Sequence, residues 1–118
     1  MNTKQLCELA IEALEDIKGI DIKTFDVTNK STVTDIMVFA TGNTSRQVKA
    51  LANSVAEKAK KAGSPALGVE GDETSEWILV DLGDVVVHIM QPAIREFYNL
   101  EKLWGDDSPA SSSTTEAE

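Results

Sequence analysis

Residues 77–104 read WILVDLGDVVVHIMQPAIREFYNLEKLW, and this stretch decides the fold of the chain. Two β-branched runs, Trp77–Leu82 and Val85–Met90, flank a turn that contains Gly83, which is typical of a β-hairpin. Pro92 then interrupts the pattern, and the aromatic-rich segment after it predicts a short helix. Both tryptophans, the only tyrosine and the only histidine fall within this quarter of the chain. A function that depends on large side chains is therefore expected here.

The register of this hairpin has two possible forms. A two-residue loop at Leu82-Gly83 places the even-numbered residues of the first run on the same face as the odd-numbered residues of the second run. A type I turn with Gly83 as a bulge places the odd-numbered residues of the first run there instead. We expect the second form, because Leu82 then avoids a positive φ. In both forms the two faces are largely apolar, and an apolar face that the helices leave uncovered would mark a partner-binding surface.

The rest of the chain supplies further helices and strands. Apolar residues recur at helical spacing in two segments, which are predicted as amphipathic helices: Thr3–Lys18 and Gly42–Ala62, the latter opening with a loop. Shorter apolar or β-branched runs predict three more strands: Ile20–Val27, Asp35–Thr41 and Ala66–Gly71. The order helix, strand, strand, helix, strand, strand, strand, short helix predicts an α/β (α+β) domain with one mixed sheet of about five strands.

Local signals refine these elements. The apolar residues of the first strand change phase along its length, which predicts either a bulge or a strand covered on both faces. Gly19 is placed to end the first helix, and Thr44 with Gln47 has the spacing of a capping box for the second. Gly68, inside a short strand, predicts a bulge or a close approach of another backbone.

Length and composition indicate one globular domain. The chain has 118 residues, of which 42% are apolar, and no apolar run approaches the ~18 residues of a membrane span. We divide it into a domain at residues 1–104 and a disordered acidic tail at residues 105–118, which is polar and of low complexity. The opening residues lack an export-signal pattern, and one cysteine makes no disulfide framework. We therefore expect a cytoplasmic protein.

The charge distribution limits the class of partner. The net charge is −9, and the only basic cluster is Lys58, Lys60 and Lys61 at the end of the second predicted helix. That cluster complements the helix dipole and is interpreted as a solvated helix end. We expect little direct contact with nucleic acid, and a basic partner is favoured.

Three features resemble catalytic or binding chemistry. The Gly42–Ser45 loop precedes a helix N-terminus and could hold an anion, but it lacks the spacing of a phosphate-binding motif, so a helix cap is favoured. Asp81 and Asp84 flank the hairpin turn at i, i+3, whereas two carboxylates on one strand face need i, i+2. His88 has no second histidine or cysteine nearby for zinc. We predict no catalytic residue, no metal site and no cofactor.

The chain resembles a known family, the ribosomal silencing factors, also called the RsfS or Iojap family. The resemblance covers nearly all of residues 1–104 and is carried by short motifs along the chain: Asp26-Val27, Thr34-Asp35, Thr41-Gly42 followed by Ser45-Arg46-Gln47-Val48, Gly68-Val69-Glu70-Gly71, Trp77 to Asp84, Val87-His88, Tyr98, and Leu100 to Trp104. The tail after Gly105 lies outside it.

The resemblance implies a nucleotidyltransferase-like fold without the catalytic residues, and therefore not an enzyme. It implies binding to large-subunit ribosomal protein L-fourteen, which blocks joining of the small subunit and represses translation when nutrients are short. Organelle relatives act in ribosome assembly, and a homodimer is implied for the free protein. Neither a cofactor nor a membrane is implied.

The resemblance also implies which residues face the partner. They are Trp77, Asp81, Leu82, Asp84, His88, Tyr98, Lys102 and Trp104. Two alternatives remain open at this point. The first is a nucleotide-binding or nucleotidyl-transferring enzyme that uses the Gly42–Ser45 loop with Asp81 and Asp84, and the second is a generic dimerisation domain.

Overall fold

A computed structural model describes residues 2–28, 34–71 and 74–98. Its elements, in chain order, are α1 (Thr3–Asp16), β1 (Ile20–Asp26), β2 (Ile36–Thr41), α2 (Ser45–Lys61), β3 (Gly68–Gly71), β4 (Trp77–Asp81), β5 (Val85–Met90) and α3 (Pro92–Tyr98). This order is the one predicted from the sequence. The predictions for Lys102, Trp104, the tail and the side chain of Tyr98 lie outside the described part and stay predictions.

The five strands form one mixed sheet, as expected, and their order across it is β1-β2-β5-β4-β3. Strands β2 and β5 pair in parallel at the centre, and the other neighbours are antiparallel. Every side chain of β5 is buried, and so are the last four of β2. Their near-continuous apolar sequences match this position, because a central strand is covered on both faces. None of the described helices is long and apolar enough to span a bilayer.

Helices α1 and α2 pack side by side on one face of the sheet, which we call the helix face. The core there is aliphatic, and it includes the fully buried residues Ala10, Leu14, Val38, Val48, Leu51, Val55, Val80, Val85, Val87 and Ile89. Polar contacts hold the two helices together at their rims. The Ser54 hydroxyl donates to the Ala13 carbonyl oxygen over 2.8 Å, and Lys58 Nζ lies 3.1 Å from Asp16 Oδ2. Lys58 therefore stabilises the helix pair and is not part of a free basic patch.

The hairpin adopts the face pairing that we did not expect. The Leu82 amide donates to the Val85 carbonyl over 2.9 Å, so the turn residues are Gly83 and Asp84. Val80 lies opposite Val87, which puts the even-numbered residues of β4 on the helix face. Burial explains the choice, because Val80 is fully buried there while Trp77 is half-buried on the other face. The positive φ does fall on Gly83, at 93°, and spares Leu82.

The end of α1 and the start of β1 show how glycine and backbone strain are used. Gly19 was predicted to end the first helix, but the positive φ at this point, 62°, belongs to Lys18. Gly19 serves a close approach instead, because a Cβ there would lie 3.1 Å from the Leu14 carbonyl oxygen and 3.2 Å from Leu51 Cδ2. The predicted bulge of β1 is confirmed between Ile20 and Lys23.

Two other local predictions had mixed outcomes. Thr44 is the N-cap of α2, with its hydroxyl accepting from the Gln47 amide over 3.1 Å, but the Gln47 side chain accepts from the Asn43 amide instead of closing the box. The prediction for Gly68 was wrong, since its pairing with β4 is regular and a Cβ there would meet nothing within 4 Å. The close approach occurs at Gly71, where a Cβ would lie 2.8 Å from Ile78 Cγ1.

Candidate partner-binding surface

The sheet face opposite α1 and α2, which we call the far face, carries a row of four ring side chains. The row crosses four adjacent strands and consists of Phe25, Phe39, His88 and Trp77. Phe39 stacks on His88, with ring centroids 5.0 Å apart and planes 11° apart. Phe25 meets Phe39 edge to face at 5.7 Å, and Trp77 lies tilted against His88 at 6.0 Å. We call these four residues the aromatic row.

Strand register brings the row together. Phe39 lies directly opposite His88 in the parallel β2–β5 ladder, and Leu79 lies opposite His88 on β4. Trp77 precedes Leu79 by two residues, so it shares that face and sits diagonally beside the imidazole. His88 and Trp77 were predicted as site residues, whereas Phe25 and Phe39 were not. The available signal was that each phenylalanine is the only aromatic residue of its strand.

His88 is held as a neutral hydrogen-bond acceptor. The Trp77 indole N–H donates to His88 Nδ1 over 3.2 Å. The histidine is 6% exposed, and this burial lowers its pKa from 6.5 to about 4. An indole N–H can only donate, so Nδ1 carries no proton and the neutral ring carries its proton on Nε2. At neutral pH the acceptor is therefore available to Trp77.

The predicted site residues of the hairpin turn form a second group. Asp81 Oδ1 accepts from the Gly83 amide over 2.8 Å, and Asp84 Oδ2 accepts from the Thr3 hydroxyl over 3.2 Å. Leu82 is nearly buried and belongs to the helix-face core. Asp81, the nearest member of this group, lies four residues along β4 from Trp77, a distance of roughly 13 Å. The structure thus brings Trp77 and His88 together, and it places the turn group at the opposite end of β4.

Helix α3 is fixed to the sheet by Arg95, a residue that the sequence analysis did not single out. The Arg95 side chain is buried, its Nη1 donates to the Thr41 hydroxyl over 2.7 Å, and its Nη2 lies 3.6 Å from Asp21 Oδ2 in the β1 bulge. The sequence held no signal for this burial, because Arg95 is followed directly by Glu96 in a short helix that carries both charges. Tyr98 is the last residue of this helix.

The Gly42–Ser45 loop is occupied by its own contacts. The Ser45 hydroxyl donates to the Thr74 carbonyl over 2.6 Å and accepts from the Gln91 side-chain Nε2 at 3.1 Å. The Asn43 and Gln47 amides are used by the capping contacts of α2. Within residues 2–28, 34–71 and 74–98, no cluster of three or more His, Cys, Asp or Glu side chains is arranged to hold a metal ion. The capping contacts of the Gly42–Ser45 loop favour its interpretation as a helix cap over an anion site.

Comparison with known proteins gives a consistent result. The family model described as "Ribosomal silencing factor during starvation" matches residues 1–118. The ribosomal silencing factor RsfS of Chromobacterium violaceum is 53% identical over 110 residues, which cover 93% of this chain and 90% of the relative. A crystal structure of a Chromobacterium violaceum protein superposes with a TM-score of 0.87 at 54% identity, covering 89% of this chain and 88% of that one.

A more distant relative is the mouse protein named "Mitochondrial assembly of ribosomal large subunit protein 1". It is 30% identical over 100 residues, which cover 82% of this chain and 44% of that protein.

Proposed function

The chain belongs to the family of ribosomal silencing factors, and we propose that it represses translation by binding large-subunit ribosomal protein L-fourteen and blocking subunit joining. The family is described as a ribosomal silencing factor during starvation, which supports repression when nutrients are short. The mouse relative, named for assembly of the mitochondrial large subunit, supports the large subunit as the site of action. We propose the cytoplasm as the compartment and a homodimer as the free form.

The observation that carries this proposal is the setting of Trp77. It is half-buried at the start of β4, and its indole N–H is engaged by His88 while part of the ring stays exposed. Tryptophan is enriched among the residues that dominate interface energy, because it buries a large rigid area on docking. Asp81 and Asp84, at the turn on the opposite end of β4, together with Tyr98, Lys102 and Trp104, would extend the contact beyond this anchor, and the nearly buried Leu82 would hold that turn against the core.

Charge supports the same partner. The chain carries a net charge of −9, which suits approach to a basic ribosomal protein, since complementary charge raises association rates. A bound domain acts by occupying space between the subunits. The proposed mechanism therefore requires neither a cofactor nor turnover, and the family is named for a regulatory role and not for a catalytic one.

The test is co-sedimentation with purified large subunits, followed by a cell-free translation assay. Interface anchors typically cost on the order of 2 kcal/mol when truncated, so Trp77→Ala should weaken binding about thirtyfold and relieve repression. Phe97→Ala is the matched control, because Phe97 is an exposed aromatic on α3 outside the proposed site. It should bind as the unmodified protein does.

Thermal unfolding of both variants separates binding from folding. The proposal fails if the unmodified protein does not co-sediment with large subunits. The assignment of Trp77 fails if Trp77→Ala stays folded and still binds and represses at full strength.

A further inference from the structure

We propose that His88 is a positioning residue for Trp77, holding the indole by its N–H in the orientation in which it docks on the partner. This inference rests on the proposed function of Trp77 as the interface anchor. It gives His88 a different role from direct partner contact, because the imidazole is nearly buried and its Nδ1 already accepts the Trp77 indole N–H.

The imidazole is itself fixed by its surroundings. His88 lies in the central strand β5, directly opposite Phe39 in β2, and stacks on the fully buried Phe39 ring. Phe25 supports Phe39 from its other neighbour, β1. Nδ1 therefore has a defined position in the sheet, set by three strands. A side chain that hydrogen-bonds to Nδ1 is held in one orientation relative to the sheet.

The indole needs such an anchor. Trp77 is the first residue of β4 and is only half-buried, so packing alone leaves its ring more freedom than a core residue has. A side chain that is already ordered in the free protein loses less entropy on binding. The hydrogen bond to His88 thus pre-organises the anchor, and burial, which keeps the pKa of His88 at about 4, keeps the acceptor neutral at physiological pH.

Two substitutions separate the acceptor from the packing. His88→Phe keeps a ring to stack on Phe39 but removes the acceptor. His88→Asn removes the ring but keeps an acceptor oxygen close to the position of Nδ1. A purely structural role predicts that His88→Phe binds large subunits as well as the unmodified protein and that His88→Asn is the weaker variant. A positioning role predicts the reverse order of binding, whichever variant is the more stable.

The readouts are the indole N–H resonance of Trp77 by NMR, unfolding by denaturant, and co-sedimentation with large subunits. The resonance is assigned by its loss in Trp77→Phe. In His88→Phe we expect the resonance to shift and its hydrogen exchange to accelerate, with a loss of binding of about five- to tenfold. His88→Asn should retain most of the binding per folded molecule. On a Trp77→Phe background, which has no indole N–H, His88→Phe should change binding no further.

The outcomes distinguish this inference from the proposed function. An unchanged indole resonance in folded His88→Phe overturns the inference without any ribosome. The inference is also overturned if the unmodified protein binds large subunits and His88→Phe binds them equally well. It is overturned, too, if His88→Phe still weakens binding on the Trp77→Phe background. If the unmodified protein does not bind large subunits, the proposed function fails, and the NMR measurement still decides whether His88 holds the indole.

Discussion

The two faces of the sheet are built from different chemistry. The helix face is aliphatic, and α1 and α2 cover it with Leu, Val and Ala side chains. The far face carries the aromatic row, a side chain-to-side chain hydrogen bond between Trp77 and His88, and the buried guanidinium of Arg95 bonded to Thr41. Aliphatic packing is non-directional, so it contributes stability without fixing one orientation of any group. Rings with donors and acceptors fix orientations, which recognition requires.

The largest effect should come from the helix face. Leu51 is fully buried, and its two methyl groups pack against the backbones of Gly19 and Gly42. Leu51→Ala should lower the free energy of unfolding by about 3–5 kcal/mol, measured by denaturant unfolding, because the site cannot collapse around the cavity. Asn53→Ala, at an exposed position of the same helix, should change it by no more than about 0.5 kcal/mol.

The same variant tests whether the two faces are independent. Under conditions where Leu51→Ala is folded, the Trp77 indole resonance should match that of the unmodified protein. A shifted resonance would mean that helix-face packing also sets the geometry of the aromatic row, and the two faces would not be independent.

A somewhat smaller effect is expected on the far face, as a dependence on pH. The pKa of His88 is about 4 in the folded chain because of burial, against an ordinary value of 6.5. Between pH 6.5 and pH 4 the unfolded chain binds a proton at His88 that the folded chain does not bind. The free energy of unfolding therefore falls as pH falls through this range. The contribution of His88 to that loss between pH 6.5 and pH 4 should be about 3 kcal/mol.

The His88→Phe variant isolates this contribution. Denaturant unfolding at pH 7 and pH 4 should show a smaller loss of stability in the variant than in the unmodified protein, since all carboxylates are common to both. Equal losses would show that the folded chain protonates His88 readily and that the ring is not held neutral by burial.

The smallest effect belongs to the helix face again, at the start of α2. Thr44→Ala removes the hydroxyl that accepts from the Gln47 amide, and should cost about 1 kcal/mol of stability by thermal or denaturant unfolding. Thr44→Ser keeps the hydroxyl and should retain most of that stability. A Thr44→Ala variant as stable as the unmodified protein would show that other contacts hold the helix start. Binding to large subunits should be the same in both variants.

The helix face could be predicted from the sequence because its signal is local. Helical spacing predicted both long helices, apolar and β-branched runs predicted the strands, and a change of phase in the first strand predicted the bulge of β1. The hairpin register was predicted wrongly because both faces of β4 are apolar, so burial of Val80 beneath the helices, a tertiary contact, decided between them. The helices cover only one face of the sheet, and the hairpin sequence does not indicate which face that is.

The far face was predicted only in part, for a related reason. Trp77 and His88 were predicted as site residues, but the contact of His88 with Phe39 depends on the parallel pairing of β2 with β5, which links distant parts of the chain. The role of Arg95 depends on the bulge that places Asp21 within reach of it. Such contacts follow from topology, and residue spacing along one element does not contain them.

The central parallel ladder also has a consequence for how the chain folds. Strands β3, β4 and β5 are linked as antiparallel neighbours in chain order, and so are β1 and β2, so each group can form from nearby residues. The β2–β5 ladder joins Val38 to Val87 across the whole of α2, β3 and β4. Contacts of such long sequence separation slow folding, because the loop must close before they form. During synthesis β5 is made last of the strands, so the sheet, and with it the aromatic row, is completed only after nearly the whole domain has been translated.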